Sequence, residues 1–413
     1  MTRVLLFCAL AALTGWYGKH TADNNTALHA RQGLPHFFQK LHSSDTVVIA
    51  YLGGSITGAQ GYRVQTEQWF RQQYPRTRFK TINAGVGGTG SDLGVFRLQE
   101  DVLQYNPDLV FVEFAVNDGS DSLKIGNAME GIVRQIKQHN AGTGICFLYT
   151  ISAPMVKKLQ QGIQPPSVRF TEIIAAHYGL PSINLGVDVM AQLEKGTLVF
   201  HGQKGTDYGN KTVFTNDGVH PGTAGHQLYT ATITRAFREM EHMKAPAKSK
   251  LPLPLYAGNF SQTGTYSPRI FPHTGGWKSA AHMQEISGWL KAMPDLMYTD
   301  NPNDSLTVRF KGTVIGAQDI IGPPSARVLI RVDGKQTISK LRFDQHGSWY
   351  RRSFYFLDPL PEGVHTVVFK LDTTPVNKTK IVIPAELGDT AKYRPSYLYI
   401  GKIMMAGKPI NNE

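Results

Sequence analysis

From Thr46 to about Lys244, short and nearly continuous apolar runs alternate with longer amphipathic ones. Few architectures satisfy that alternation. Thr46–Leu52, Phe79–Ala84, Leu109–Ala115, Ile145–Ile151 and Ser182–Leu185 read as strands covered on both faces, because they lack the polar-every-second-residue pattern of a half-exposed sheet. Between them, Met129, Ile132, Val133 and Ile136 recur at helical spacing on one face. Tyr62–Tyr74, Ser91–Tyr105, Ser167–Tyr178 and Thr223–Met243 behave similarly, with Pro75 and Pro107 punctuating the ends. Strand and helix in strict alternation predict a parallel sheet with helices on both sides, an α/β fold. In such sheets the working residues gather in loops at the carboxyl ends of the strands.

The alternation stops at the Lys/Pro-rich stretch Lys244–Pro254, which reads as a linker. Beyond it, Ser305–Phe310, Ala326–Val332, Tyr350–Phe356, Val364–Leu371, Lys380–Ile383 and Tyr397–Met404 read as strands, separated by turn signals such as Asp333-Gly334. Many short strands in this span suggest an all-β jelly roll or sandwich. At the other end, Arg3 followed by the apolar run from Val4 to about Leu13 fits a secretory signal peptide, and is too short for the roughly 20 residues of a membrane span. The expected organisation is a signal peptide over 1–19, an α/β domain over 20–243, a linker over 244–254 and a β-sandwich over 255–413, in a secreted, periplasmic or extracellular protein.

Composition narrows the classes. A chain of 413 residues with 41% hydrophobic content holds real cores rather than disorder. The net charge of +12 is spread along the chain, with no basic run interleaved with aromatics, so a nucleic-acid partner is not expected. Two cysteines cannot form a disulfide framework or a cysteine-based zinc site, and His226 lies off helical ligand spacing from His220, so no metal is expected.

Four segments carry chemistry. Gly53-Gly54-Ser55-Ile56-Thr57-Gly58 follows the first strand and brings a serine hydroxyl to the top of the sheet; as a plain turn, it would leave Ser55 only capping backbone. Asn83–Gly90 follows the second strand with bare N–H groups that can face an anion, and it contains G-x-G-x-x-G (Gly85, Gly87, Gly90), the spacing of a dinucleotide site. Asn117 and Asp118 follow the third strand, where an amide can donate into the cleft or simply form an Asx turn. Asp217-Gly218-Val219-His220-Pro221 precedes the last helix, and a carboxylate three residues before an imidazole can hold it while the ring reaches a serine elsewhere. Jointly these supply a nucleophile, a base, its orienter and oxyanion donors.

Here the chain resembles the SGNH-hydrolase (GDSL) superfamily over about residues 45–243. Gly53 and Ser55 match its first motif, Asn83 and Gly88 its second, Asn117-Asp118 its third, and Asp217 with His220 its D-x-x-H motif. Gly54 stands where the family's first motif has Asp, and Ala115 where the third has Gly. The resemblance implies a flavodoxin-like three-layer α/β/α domain with a five-stranded parallel sheet. It also implies a triad of Ser55, His220 and Asp217, an oxyanion hole built from Ser55, Gly88 and Asn117, and no cofactor.

In the second half, Arg309–Gly312, Leu329–Gly334 and Pro361–His365 are similar to galactose-binding-like modules attached to secreted carbohydrate esterases. This favours removal of O-acetyl groups from an acetylated polysaccharide or glycan. Candidate substrate contacts are His201 and Tyr208 in the Gly-rich stretch Val199–Phe214, read as a long loop, and Trp277, Trp289 and Trp349 as sugar platforms. The rival readings are a lipase-like or sialate O-acetylesterase, a dinucleotide-binding oxidoreductase using Gly85–Gly90, and a non-catalytic glycan-binding protein.

Overall fold

A computed structural model of the protein describes residues 26–43, 46–244 and 250–410. The expected signal peptide and the middle of the expected linker, 245–249, lie outside the described residues. The chain divides after Ser261 into two compact units, later than the Lys/Pro-rich stretch. Residues just beyond that stretch pack on the first unit: the N–H groups of Leu255 and Tyr256 donate to the buried Glu130 at 2.7 and 2.8 Å, and the Phe260 ring lies 5.5 Å from Phe96.

The first unit is built on a sheet of strands β1 (Leu28–His29), β2 (Thr46–Gly53), β3 (Arg78–Gly85), β4 (Leu109–Glu113), β5 (Gly144–Tyr149) and β6 (Ser182–Asn184), in the order β1-β6-β5-β4-β2-β3. β2 through β6 are mutually parallel, in the flavodoxin-like order with the first of them flanked by the second and third. The expected five parallel strands are all present, but β3, at the sheet edge, is exposed at Arg78, Lys80 and Asn83 rather than covered on both faces. A sixth strand is added: β1 pairs antiparallel with β6 through Leu28↔Ile183 and His29↔Ser182. Two residues carry no periodicity, so nothing in the sequence announces it. β4 and β5 are buried at every position because helices cover both faces. One of these helices, Ser122–His139, starts where the Asp121 carboxylate accepts the N–H groups of Leu123 and Lys124, and it buries Ile125, Met129, Ile132, Val133 and Ile136.

Val199–Phe214 is not a plain loop. Strands β7 (Leu198–His201) and β8 (Thr212–Thr215) pair in parallel at its ends, anchored by Phe200 and Phe214, whose rings stack 5.0 Å apart.

The second unit is an antiparallel β-sandwich. Its longest strand, Ser305–Ile321, pairs with Gly363–Asp372 over its first half and with Arg351–Phe356 over its second, and its pairing with Lys402–Pro409 on the other side shifts register between Gly312 and Val314. Lys380–Ile383, expected as a strand, instead forms the end of a 3-10 turn, Lys378–Lys380, and the residues after it. The turn is closed by Ile381 and Val382 N–H bonds to the Lys378 carbonyl, while Val382 packs with Phe343 and Tyr393. Its β-branched residues serve local packing rather than a ladder. The expected strand Tyr397–Met404 is two strands, Leu398–Ile400 and Lys402–Pro409, in different sheets, parted at Gly401.

Candidate active site

The carboxyl ends of β2, β3 and β4 and the turn after β8 supply the side chains of one site. At the end of β2 the chain turns without a β-carbon twice. A Cβ on Gly53 would fall 2.2 Å from Thr57 Oγ1, and one on Gly54 only 2.0 Å from Asn117 Oδ1. This close approach accounts for glycine at position 54, where the family's first motif has Asp. Ser55 opens the single helical turn Ser55–Gly58.

Ser55 Oγ lies 2.8 Å from His220 Nε2, although the two residues are 165 positions apart. His220 Nδ1 lies 2.7 Å from Asp217 Oδ2. With Nδ1–H donating to the carboxylate, Nε2 is left as an acceptor for the serine hydroxyl. Asp217 is itself held in place: its Oδ1 accepts the N–H groups of Val219 and His220, each at 2.8 Å, and the Thr215 hydroxyl at 3.0 Å. Desolvation opposes ionisation of Asp217. The bonds from His220, Val219 and Thr215 outweigh it and hold the carboxyl well below the usual carboxylate range, so it is an anion facing the imidazole.

Asn117 follows β4 in a turn closed by its N–H on the Phe114 carbonyl, with its side-chain amide against Gly54. The Asn83–Gly90 segment runs beside Ser55: a Cβ on Gly87 would lie 3.7 Å from Ser55 Cβ, and Gly88, at φ +70°, has open space where a side chain would be. Asn83 stitches this segment, accepting the Gly85 N–H at 3.0 Å and donating to the Gly58 carbonyl at 3.1 Å.

Two of the three glycines of the G-x-G-x-x-G match, Gly85 and Gly90, have packing reasons of their own. A Cβ on Gly85 would meet Gly58 N at 2.2 Å, and one on Gly90 would meet Asp118 Oδ1 at 2.6 Å. Asp118 Oδ1 accepts the Ser91 N–H at 2.8 Å at the start of the helix Ser91–Asp101. The Asp118 carboxyl group thus occupies the helix start where a dinucleotide site would place its pyrophosphate.

His201 adjoins the Asp217 turn, with Nε2 3.1 Å from the Asn216 carbonyl. Tyr208 is turned inward on its own loop, where its hydroxyl accepts the Gln203 N–H at 2.7 Å. His226 is buried, and its Nδ1 accepts the Tyr62 N–H at 3.2 Å. Sequence reasoning passed over Glu113, the charged end of an otherwise apolar strand. It is fully buried beneath the site, accepting the hydroxyls of Thr57 at 3.0 Å and Thr150 at 2.6 Å. The odd carboxylate in Leu109–Ala115 was the visible signal. Among the described residues no group of three or more His, Cys, Asp or Glu is placed to hold a metal, and no helix is long and apolar enough to cross a membrane.

Residues 51–228 match the GDSL-like Lipase/Acylhydrolase family. The first unit carries a GDSL-like acylhydrolase domain. By that family the chain is a carboxylic ester hydrolase. No curated protein sequence matches the chain. Two solved structures resemble it over both units: a two-domain esterase (CEX) active on acetylated mannans, at 21% identity, covering 92% of this chain and 96% of that one with a TM-score of 0.71. The same esterase co-crystallized with mannopentaose matches at 20% identity, covering 91% and 94%, with a TM-score of 0.70. At this identity the likeness is one of fold, an acylhydrolase domain followed by an antiparallel sandwich.

Proposed function

We propose that the protein is a secreted serine esterase that removes O-acetyl or other short acyl groups from a polysaccharide or glycan. The reading rests above all on the Ser55–His220–Asp217 chain of contacts at 2.8 and 2.7 Å. In the reaction, His220 Nε2 takes the Ser55 proton as Oγ attacks the ester carbonyl. The Asp217 anion keeps the ring in its tautomer and stabilises the imidazolium. Charge developing on the carbonyl oxygen is met by the N–H groups of Ser55 and Gly88 and the amide of Asn117, and one such donor contributes about 3 kcal/mol. His220 returns the proton to the departing sugar hydroxyl, then activates the water that frees the acyl group.

The glycan part of the reading draws on the fold shared with an acetylated-mannan esterase, and on one exposed aromatic of the second unit. Trp277 donates its indole N–H to the Ser305 carbonyl at 3.2 Å, and Trp289 packs on a local core, but Trp349 is 53% exposed. Export draws on the apolar run after Arg3.

The test is acetate release from acetylated mannan and turnover of p-nitrophenyl acetate by the wild type, Ser55→Ala and Asn117→Ala. Loss of both activities in Ser55→Ala, with a drop of roughly 100-fold or more in Asn117→Ala, is expected. Wild-type turnover in both variants sinks the assignment.

A further inference from the structure

Arg97, on the buried face of the helix Ser91–Asp101, is 1% exposed and carries its charge in the core of the first unit. Its Nη2 donates to the Gly53 carbonyl at 3.0 Å, and its Nη1 to the Ala84 carbonyl at 2.7 Å. Those two carbonyls lie at the carboxyl ends of the neighbouring strands β2 and β3, where Gly53 and Gly85 are register partners. One strand leaves toward Ser55, the other toward Gly87 and Gly88. Past this point the ladder adds only the Val86 N–H on the Gly53 carbonyl, at 3.0 Å.

We propose that Arg97 is a positioning residue, which ties the root of the Ser55 loop to the root of the glycine loop and so sets the spacing between the nucleophile and its oxyanion donors. The inference rests on the esterase reading above. A buried guanidinium is a poor choice for packing alone, since an apolar side chain of similar volume is often as stabilising or more so. Among the described residues the only carboxylate bonded to it is Asp101, at 2.8 Å, whose side chain is 32% exposed. The other Nη bonds all go to main-chain oxygen. The planar fork presents two parallel donor directions, which a lysine cannot reproduce. A displacement near 1 Å in a catalytic constellation lowers rate by roughly 100-fold.

The test compares Arg97→Met and Arg97→Lys with the wild type, in the full chain, by melting temperature and by kcat and KM on p-nitrophenyl acetate. For folded protein, kcat of Arg97→Met is expected to fall roughly 10- to 100-fold with KM within about twofold, and Arg97→Lys to fall between it and the wild type. A residue that only stabilises the fold would lower the melting temperature and leave kcat of the folded protein unchanged, and that result overturns the proposal. If Arg97→Met does not fold, Arg97→Lys decides by the same split: unchanged kcat overturns it, reduced kcat at unchanged KM supports it. Ser55→Ala in the same assay separates the two claims. Activity retained there removes the esterase reading itself, whereas an inactive Ser55→Ala beside a fully active Arg97→Met removes only the role of Arg97.

Discussion

Gly54 and Asn117 approach so closely that a β-carbon on the first would stand 2.0 Å from the side-chain oxygen of the second. The main chain just ahead of Ser55 and the amide proposed to meet the oxyanion are therefore fitted to each other. Gly54→Ala is expected to push the Asn117 amide aside and lower kcat on p-nitrophenyl acetate by roughly 10- to 100-fold. Full turnover in a folded variant would mean that the amide has room to move without consequence.

Among the described residues Glu113 is a carboxyl without a cationic partner. Burial pushes its pKa up, and the bonds from Thr150, Thr57 and the Ala115 N–H pull back only in part. The folded state thus holds this proton more tightly than the unfolded chain does. The contribution is favourable at low pH and declines as pH rises above the ordinary carboxylate range. Glu113→Gln should remove that decline, visible as a melting temperature that falls less with rising pH than the wild type's. Glu113→Ala leaves two buried hydroxyls without their acceptor beside a cavity, and should lower stability by about 3 kcal/mol in urea denaturation.

His226 behaves in the opposite sense. Burial, with the neighbouring His220 adding to it, pushes the imidazole down to about 4 from an ordinary 6.5. The unfolded chain takes up the proton first, so the stabilising contribution is complete above pH 6.5 and is lost as pH falls from there toward 4. The full loss is on the order of 3 kcal/mol. His226→Asn, which can still accept the Tyr62 N–H, should be less sensitive across that window. Parallel urea midpoints for the two proteins at pH 7.5 and 4.5 would falsify the assignment.

Trp349 offers an exposed ring backed by Arg351, whose guanidinium carbon lies 5.6 Å from the ring centroid. Arg351 is held in turn by Asp344 and by the His346 carbonyl. A ring fixed in this way loses little entropy on meeting a sugar face. Trp349→Ala is expected to weaken retention in affinity gels containing acetylated mannan while leaving p-nitrophenyl acetate turnover unchanged. Equal mobility of the two proteins at every polysaccharide concentration would remove the ring from substrate contact.

The two architectures were legible in the sequence because burial leaves a periodic trace. Strands covered on both faces, such as Leu109–Glu113, must be apolar at nearly every position, and the helix Ser122–His139 must be apolar on one stripe. The same trace misleads where β-branched residues pack locally, as at Lys380–Ile383, and it is silent over two residues, as at Leu28–His29. Trp277, Trp289 and Trp349 are alike as letters, and only their surroundings tell a core ring from an exposed one.

The candidate site divides along the same line. The amino-acid order determined the residue types at each strand end: the glycines around Ser55, the Asp217–His220 spacing and the bare stretch Gly85–Gly90, all consequences of local turn chemistry. Tertiary structure alone decided that Ser55 and His220 meet across 165 positions, that Asp118 fills the helix start a pyrophosphate would need, and that Arg97 and Glu113 lie beneath the loops. Periodicity reports which face of an element is buried, whereas a contact between distant segments follows from the order in which parallel strands pair, and no single segment encodes that order.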